Sequence, residues 1–217
     1  MSQKNGEDLT RERILDTAEV LFAQKGYRAV SVREITSAAE CNLAAVNYHF
    51  GNKENLYLEV FRSRWVPRAT RVRESFRKSL ARQGSLSEAK VVRALAQAFV
   101  DGPLSDDERL RHSQLMTREM TQPTKAFKHV AEQVIQPFFK EVSDQLDSVL
   151  SNKVGEEQML LNIFSIFAMV LYFNFARVAV SRLTGRKYDS AFRALLVEQI
   201  TQFSLRGLGV EKMEEQG

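Results

Sequence analysis

Ala38-Ala39-Glu40-Cys41-Asn42-Leu43-Ala44-Ala45-Val46-Asn47-Tyr48-His49-Phe50-Gly51-Asn52-Lys53 is the stretch on which the fold turns. Asn42 can cap a short helix running through His49, and Gly51-Asn52 can stop it. Upstream, Ser31-Val32-Arg33-Glu34 has the spacing of a capping box and opens another short helix to about Ala39. Further back, Ile14, Leu15, Ala18, Leu21 and Phe22 recur at helical spacing between Thr10 and Gln24, and Lys25-Gly26 closes the run. Three helices, the second and third short and joined by a tight turn, have helix-turn-helix proportions. Ile35, Val46, Phe50 and Leu21 read as core. The third helix has to be slim and end-exposed to enter a major groove. Leu43-Ala44-Ala45 supplies the slimness, and Asn47 an amide able to read a base edge. Tyr48 and His49 bring donors that reach phosphates, and Lys53 starts the next helix.

The same start and stop signals continue downstream. Ser85-Leu86-Ser87-Glu88 and Ser105-Asp106-Asp107-Glu108 are two more capping boxes. Pro123 suits the first turn of a helix running towards Ser151. Gly155 and Gly185 bracket a very apolar helix, and Asp189 can cap the last one, ending near Gly207. No strand pattern competes. The expectation is an all-α fold of about nine helices. Residues 1–55 form a three-helix helix-turn-helix domain, 56–84 a connecting helix, and 85–217 a C-terminal helical regulatory and dimerisation domain.

Composition agrees with long helices. The 217 residues include 10 Gly and 4 Pro, too few breakers for a turn-dense β-sandwich. A single Cys excludes an intramolecular disulfide framework and a Cys-rich zinc module, and it suits a reducing cytoplasm. That residue, Cys41, reads as a buried thiol, with a redox sensor as the alternative. The polar first residues carry no signal-peptide run. Net charge is +4, and residues 54–90 concentrate it with nine Lys/Arg against four Asp/Glu. The cluster between Arg62 and Arg82 fits a nucleic-acid partner or a solvated helix face.

Residues 158–176 are long and apolar enough to suggest a membrane span of ~20 residues. Asn162, Ser165 and Asn174 weaken that signal, Arg177 ends it, and no basic loop flanks one side. A helix apolar all round also suits the inside of a bundle and a dimer interface, so no membrane is expected. A membrane-tethered regulator anchored there is the alternative. Another is a small helical enzyme using His112 and Glu119 as acid and base. No nucleophile, metal-ligand spacing or cofactor loop supports catalysis, and neither a metal nor a cofactor is expected.

Arg11-Glu12-Arg13-Ile14-Leu15-Asp16-Thr17-Ala18, Leu21-Phe22-Ala23-Gln24-Lys25-Gly26-Tyr27 and Ser31-Val32-Arg33-Glu34-Ile35 resemble the first two helices of the TetR family of bacterial transcriptional regulators. Residues 38–57, with Tyr48-His49-Phe50-Gly51-Asn52-Lys53-Glu54, are similar to its turn, recognition helix and opening of the fourth helix. The resemblance implies a phosphate contact at Ser31 and a guanine or backbone contact at Arg33. It also implies groove-facing Asn42, Leu43, Ala44, Ala45 and Asn47, and phosphate contacts at Tyr48, His49 and Lys53. Glu40 replaces the family's turn glycine, and Leu43 and Ala45 replace polar readers. The operator sequence therefore does not carry over.

Residues 112–124, with Phe127 and Gln136-Pro137-Phe138, resemble the C-terminal domain of a CecR-like branch of the family. The implied protein is a homodimeric repressor on a palindromic double-stranded operator, released by a small-molecule effector. Trp65, His112, Met116, Phe138, Phe139, Phe164 and Phe167 are candidates for an apolar effector pocket, with Arg118 or Glu119 as its polar group. The last two helices are expected to form the dimer interface, through Ile163, Phe167, Val170, Phe192 and Leu196. Pro67, deep in the fourth helix, is expected to kink or break it by excluding the carbonyl of residue 63, at a cost of ~3 kcal/mol. Pro137 should do the same. A kink at Pro67 fits a hinge between domains or a fixed bend.

Overall fold

The computed structural model describes residues 2–82, 84–150 and 154–210. Among them every regular element is helical. The order is α1 (Ser2–Lys25), α2 (Val32–Ala38), α3 (Leu43–Phe50) and α4 (Lys53–Val60), then a π-helical turn at Phe61–Trp65 that runs into α5 (Val66–Leu80). α6 (Glu88–Val100) and α7 (Asp106–Thr121) follow. α8 (Lys125–Val130) passes through a second π-helical turn, Ala131–Ile135, into α9 (Gln136–Val149). α10 (Glu156–Phe175), α11 (Arg177–Thr184) and α12 (Ser190–Gly207) complete the chain.

Several helix starts carry side-chain caps. The Ser31 hydroxyl accepts from the Glu34 amide at 3.1 Å, Asn42 Oδ1 from Ala45 at 2.9 Å, and Asp189 Oδ1 from Phe192 at 2.8 Å. Of the three expected capping boxes, Ser105/Glu108 closes on both sides, at 3.2 and 3.0 Å. At Ser31 the Glu34 carboxylate takes the Lys25 ammonium instead, at 2.5 Å. At the remaining box the cap is Ser87, not Ser85. Lys90 Nζ donates to the carbonyls of Arg82 and Gly84 and ties that loop over the helix start.

Three helix boundaries differ from expectation. α1 begins at Ser2 rather than Thr10, because a solvated helical turn needs no apolar periodicity. The Thr10 hydroxyl back-bonds to the Gly6 carbonyl inside that extension. Pro123 lies one residue before Thr124, the cap of α8. Taking each π-interrupted run as one helix, the described residues form ten helices, since the apolar helix stops at Ala176. There the Tyr188 hydroxyl donates to the Phe173 carbonyl at 2.8 Å, occupying an acceptor that a continuing helix would use.

Both internal prolines follow a π-helical turn. Pro67 and Pro137 each stand at the second position after one, and neither breaks its helix. The Val66 amide reaches back five residues to the Phe61 carbonyl, a wider loop than the α-helical four. The Ser63 carbonyl, which Pro67 cannot satisfy, accepts from Arg64 Nη1 at 3.4 Å. The extra residue per turn accommodates the pyrrolidine ring where a regular helix would clash.

The chain forms two compact units, residues 1–70 with 105–134, and residues 71–104 with 135–217. The first packs α7 and α4 on α1, burying Ile14, Leu15, Ala18, Phe22, Leu56, Phe61 and Leu115. It also holds a buried ion pair. Arg68 grips Glu19 with both terminal nitrogens, and Arg111 stands 3.4 Å from the same carboxylate. The second unit packs α12 and α10 on α6 around Phe76, Leu95, Phe138, Ile163, Phe167, Val170 and Leu196. The units cut the chain differently from the 1–55, 56–84 and 85–217 divisions.

Candidate DNA-binding face

The turn between α2 and α3 has the geometry of a Schellman ending. The Cys41 amide donates to the Thr36 carbonyl at 3.0 Å and the Glu40 amide to Ser37 at 3.2 Å. Glu40 sits at φ 49, left-handed backbone that glycine takes without strain. Arg13 Nη2 reaches the Glu40 carbonyl at 3.3 Å and pins the turn to α1. Cys41 is half-buried rather than enclosed.

That turn delivers α3 with Val46 and Phe50 buried and its other side open. Asn42, Leu43, Ala44, Asn47 and Tyr48 are exposed, Tyr48 by 73%, while Ala45 and His49 are half-buried. Asn42 spends its carbonyl oxygen on the cap and keeps its amide hydrogens for donation. Asn47 has no such tie and presents a full donor and acceptor pair. Ser31 and Arg33 are exposed at the start of α2. As an acceptor from the Glu34 amide, the Ser31 hydroxyl retains its own hydrogen for an anion at the helix N-terminus.

Lys53 opens α4 directly after the Asn52 cap. Its ammonium lies 4.4 Å from the Tyr27 ring centroid, a cation–π contact that aims a long side chain. Burial lowers its pKa from the ordinary lysine value. The Tyr48 and His49 rings meet edge to face at 5.0 Å. The ten sequence-predicted positions therefore gather on α2, α3 and the first residue of α4. Tyr27, whose ring seats Lys53, was not among them.

The effector candidates are divided between the two compact units. Trp65, His112, Met116, Arg118 and Glu119 belong to the first compact unit, and Phe138, Phe139, Phe164 and Phe167 to the second. Trp65 stacks on His112 at 4.3 Å and donates to the His112 carbonyl at 3.0 Å. Met116 is buried. Arg118 donates to the Ala23 carbonyl at 2.9 Å and to that of Gln24, and buried Glu119 accepts from the Tyr57 hydroxyl at 2.7 Å. In the second unit, Phe167 stacks on Phe139 at 4.2 Å and meets Phe138 edge-on at 5.6 Å, as ring packing in a core. An open cavity of about 550 Å³ in that unit is lined by Arg177, Arg182, Arg186, Lys187 and Tyr188, among others, and by none of the nine candidates.

The five interface candidates face inward. Ile163, Phe167, Val170, Phe192 and Leu196 are each at most 5% exposed and form the chain's own core. A helix apolar all round carries two apolar stripes, and the sequence does not say which one packs inward. The stripe of Met159, Ile163, Ile166, Phe167 and Val170 does. Leu161, Phe164, Tyr172 and Phe175 of α10, with Leu195 and Phe203 of α12, are exposed instead. Four arginines of the basic run between Arg62 and Arg82 are paired. Arg64 binds Glu12 and Asp16, Arg68 binds Glu19, and Arg73 and Arg77 both bind Glu141.

Comparison with known proteins follows the two parts of the chain. Residues 14–60 match the model of the tetR family of bacterial regulatory proteins. Residues 89–208 match that of the C-terminal domain of the HTH-type transcriptional dual regulator CecR. CecR of Shigella flexneri is 24% identical over 201 residues, covering 88% of this chain and 87% of CecR. The transcriptional repressor AcnR of Corynebacterium glutamicum is 40% identical over 53 residues, 24% of this chain and 28% of AcnR. A transcriptional regulator of solved structure from Rhodococcus sp. Rha1 shares the fold with a TM-score of 0.63 at 16% identity, over 91% of this chain and 96% of its own.

Proposed function

The chain belongs to the TetR family of bacterial transcriptional regulators, with a CecR-type C-terminal domain, and from this membership we propose a homodimeric, effector-released repressor that works in the cytoplasm. The observation that carries the reading is the open side of α3, with Asn47 and Tyr48 exposed and the helix held from behind by buried Val46 and Phe50. Asn47 offers a bidentate amide to a base edge, and Leu43, Ala44 and Ala45 offer apolar contact to thymine methyls. Ser31, Arg33, Tyr48, His49 and Lys53 take phosphates, which set the register. The names of AcnR, a repressor, and CecR, a dual regulator, support repression and suggest activation at some promoters as the second reading.

Two copies pair through the outward stripe of α10 and α12. Six large apolar side chains exposed on two adjacent helices are more than scattered surface residues account for. Two-fold symmetry then asks for a palindromic operator with half-sites about one helical turn, ~34 Å, apart. The effector belongs to the region after residue 85 and acts by favouring a conformer whose recognition helices no longer fit. In vitro selection of bound DNA by the full-length protein tests the reading. A palindrome with that spacing is expected, and enrichment of no sequence would refute it.

A further inference from the structure

α7 lies outside the helix-turn-helix sequence and inside the stretch that matches the C-terminal domain model, yet it packs in the first compact unit. Two neighbouring residues near its end hold the helices that frame the DNA-binding face. The Arg118 guanidinium donates from Nε to the Ala23 carbonyl at 2.9 Å and from Nη2 to the Gln24 carbonyl. Carbonyls in the last turn of a helix lack intrahelical partners, and a cation is favoured there. The guanidinium also lies over Gly26, where a Cβ would meet Nη1 at 3.0 Å on backbone at φ +85.

Glu119, 1% exposed, ties α7 to α4. Its Oε1 accepts from the Tyr57 hydroxyl at 2.7 Å, and Oε2 accepts from the Thr124 amide at 2.9 Å and hydroxyl at 3.0 Å. A buried carboxylate is tolerated only when donors surround it, and these do. Burial above all, and then the bond to Glu119, raises the Tyr57 pKa, so the phenol stays a donor. The Tyr57 ring packs on Tyr27 at 4.9 Å and edge-on to Phe22 at 4.9 Å. Tyr27 in turn seats the Lys53 ammonium at 4.4 Å.

We infer that Glu119 and Tyr57 are positioning residues for DNA binding, acting from α7 through Tyr27 to hold Lys53 at its phosphate contact. This rests on the DNA-binding reading above. Arg118 fixes α7 against the end of α1, so the relay has a rigid base.

The test uses the full-length protein and the DNA site selected by the wild type. Tyr57→Phe removes one hydroxyl and keeps the ring. The expected result is a several-fold loss of affinity and a flatter plot of log affinity against log salt, by about 0.9 per protomer for one lost phosphate contact. In a Lys53→Ala background, Tyr57→Phe should change neither quantity. A folded Tyr57→Phe protein with the wild-type salt slope, or one whose effect is equally large without Lys53, would overturn the inference. Should Tyr57→Phe not fold by circular dichroism, Tyr27→Leu removes the seat beneath Lys53 and is expected to flatten the slope equally. An unchanged slope there refutes the inference. Wild-type protein that selects no site strikes the DNA-binding reading itself.

Discussion

Phe164→Ala should dissociate the dimer without harming the fold. Phe164 is 52% exposed on the outer stripe of α10. A phenylalanine has ~200 Å² to bury, so ~100 Å² remains available to a second copy. At ~25 cal/mol per Å² its coverage contributes ~2.5 kcal/mol from each copy, or ~5 kcal/mol per dimer. Alanine keeps part of that contact, leaving a loss of ~3 kcal/mol and a dimer dissociation constant ~10²-fold weaker. Sedimentation equilibrium across a concentration series reads this directly, with circular dichroism as the check on folding. Phe167→Ala is the matched control. Phe167 is 4% exposed within the core, so its loss should cost ~3–5 kcal/mol of folding stability instead. A Phe164→Ala dimer within threefold of wild type would refute the assignment of the outer stripe to a second copy.

Other expectations concern the first unit and the pH response. Arg68→Met leaves Glu19 buried with only Arg111 beside it and should cost ~3 kcal/mol in urea denaturation. The double variant Glu19→Met/Arg68→Met should cost less than the sum of the single changes, and simple additivity would contradict a coupled pair. Glu40→Gly relieves left-handed backbone at φ 49 and should raise stability by ~0.5–1 kcal/mol, read as a higher melting temperature. Burial pushes the Glu141 carboxyl up, but hydrogen bonds from Arg77 and Arg73 prevail and hold it below the usual value of 4.5. Its stabilisation is therefore present above that value and is lost as pH falls through the depressed one. Glu141→Gln should be less stable than wild type at neutral pH, with a gap that closes in acid; a gap independent of pH would contradict this.

The helix-turn-helix was legible because its signals are local. Ser31, Asn42 and Asp189 cap the helices they were expected to cap, and Gly26 and Gly51 take positive φ where the chain turns. The ten DNA-face positions follow from that register and from the family resemblance. What was not legible depends on partners distant in sequence. Ile163 and Phe164 are adjacent and equally apolar, yet only packing against α6 and α12 decides that one is core and the other surface. The arginines between Arg62 and Arg82 read as a basic face until Glu12, Asp16, Glu19 and Glu141 arrive opposite four of them. The partners of Arg118 and Glu119 were not legible either, because nothing near them in sequence reveals the carbonyls of α1 or the hydroxyl of Tyr57. Pro67 and Pro137 suggested a kink or a break; neither breaks its helix, and the preceding π-helical turns leave no compositional mark.

The central claim is that α3 reads DNA through Asn47 while Lys53 grips the backbone. Bound-sequence profiles of wild type, Asn47→Ala and Lys53→Ala, taken at several salt concentrations, test it most directly. Asn47→Ala should relax preference at one position of each half-site, by ~1–3 kcal/mol, and leave the salt slope unchanged. Lys53→Ala should keep the profile, weaken every sequence alike and flatten the slope by ~0.9 per protomer. An Asn47→Ala profile indistinguishable from wild type would contradict the account.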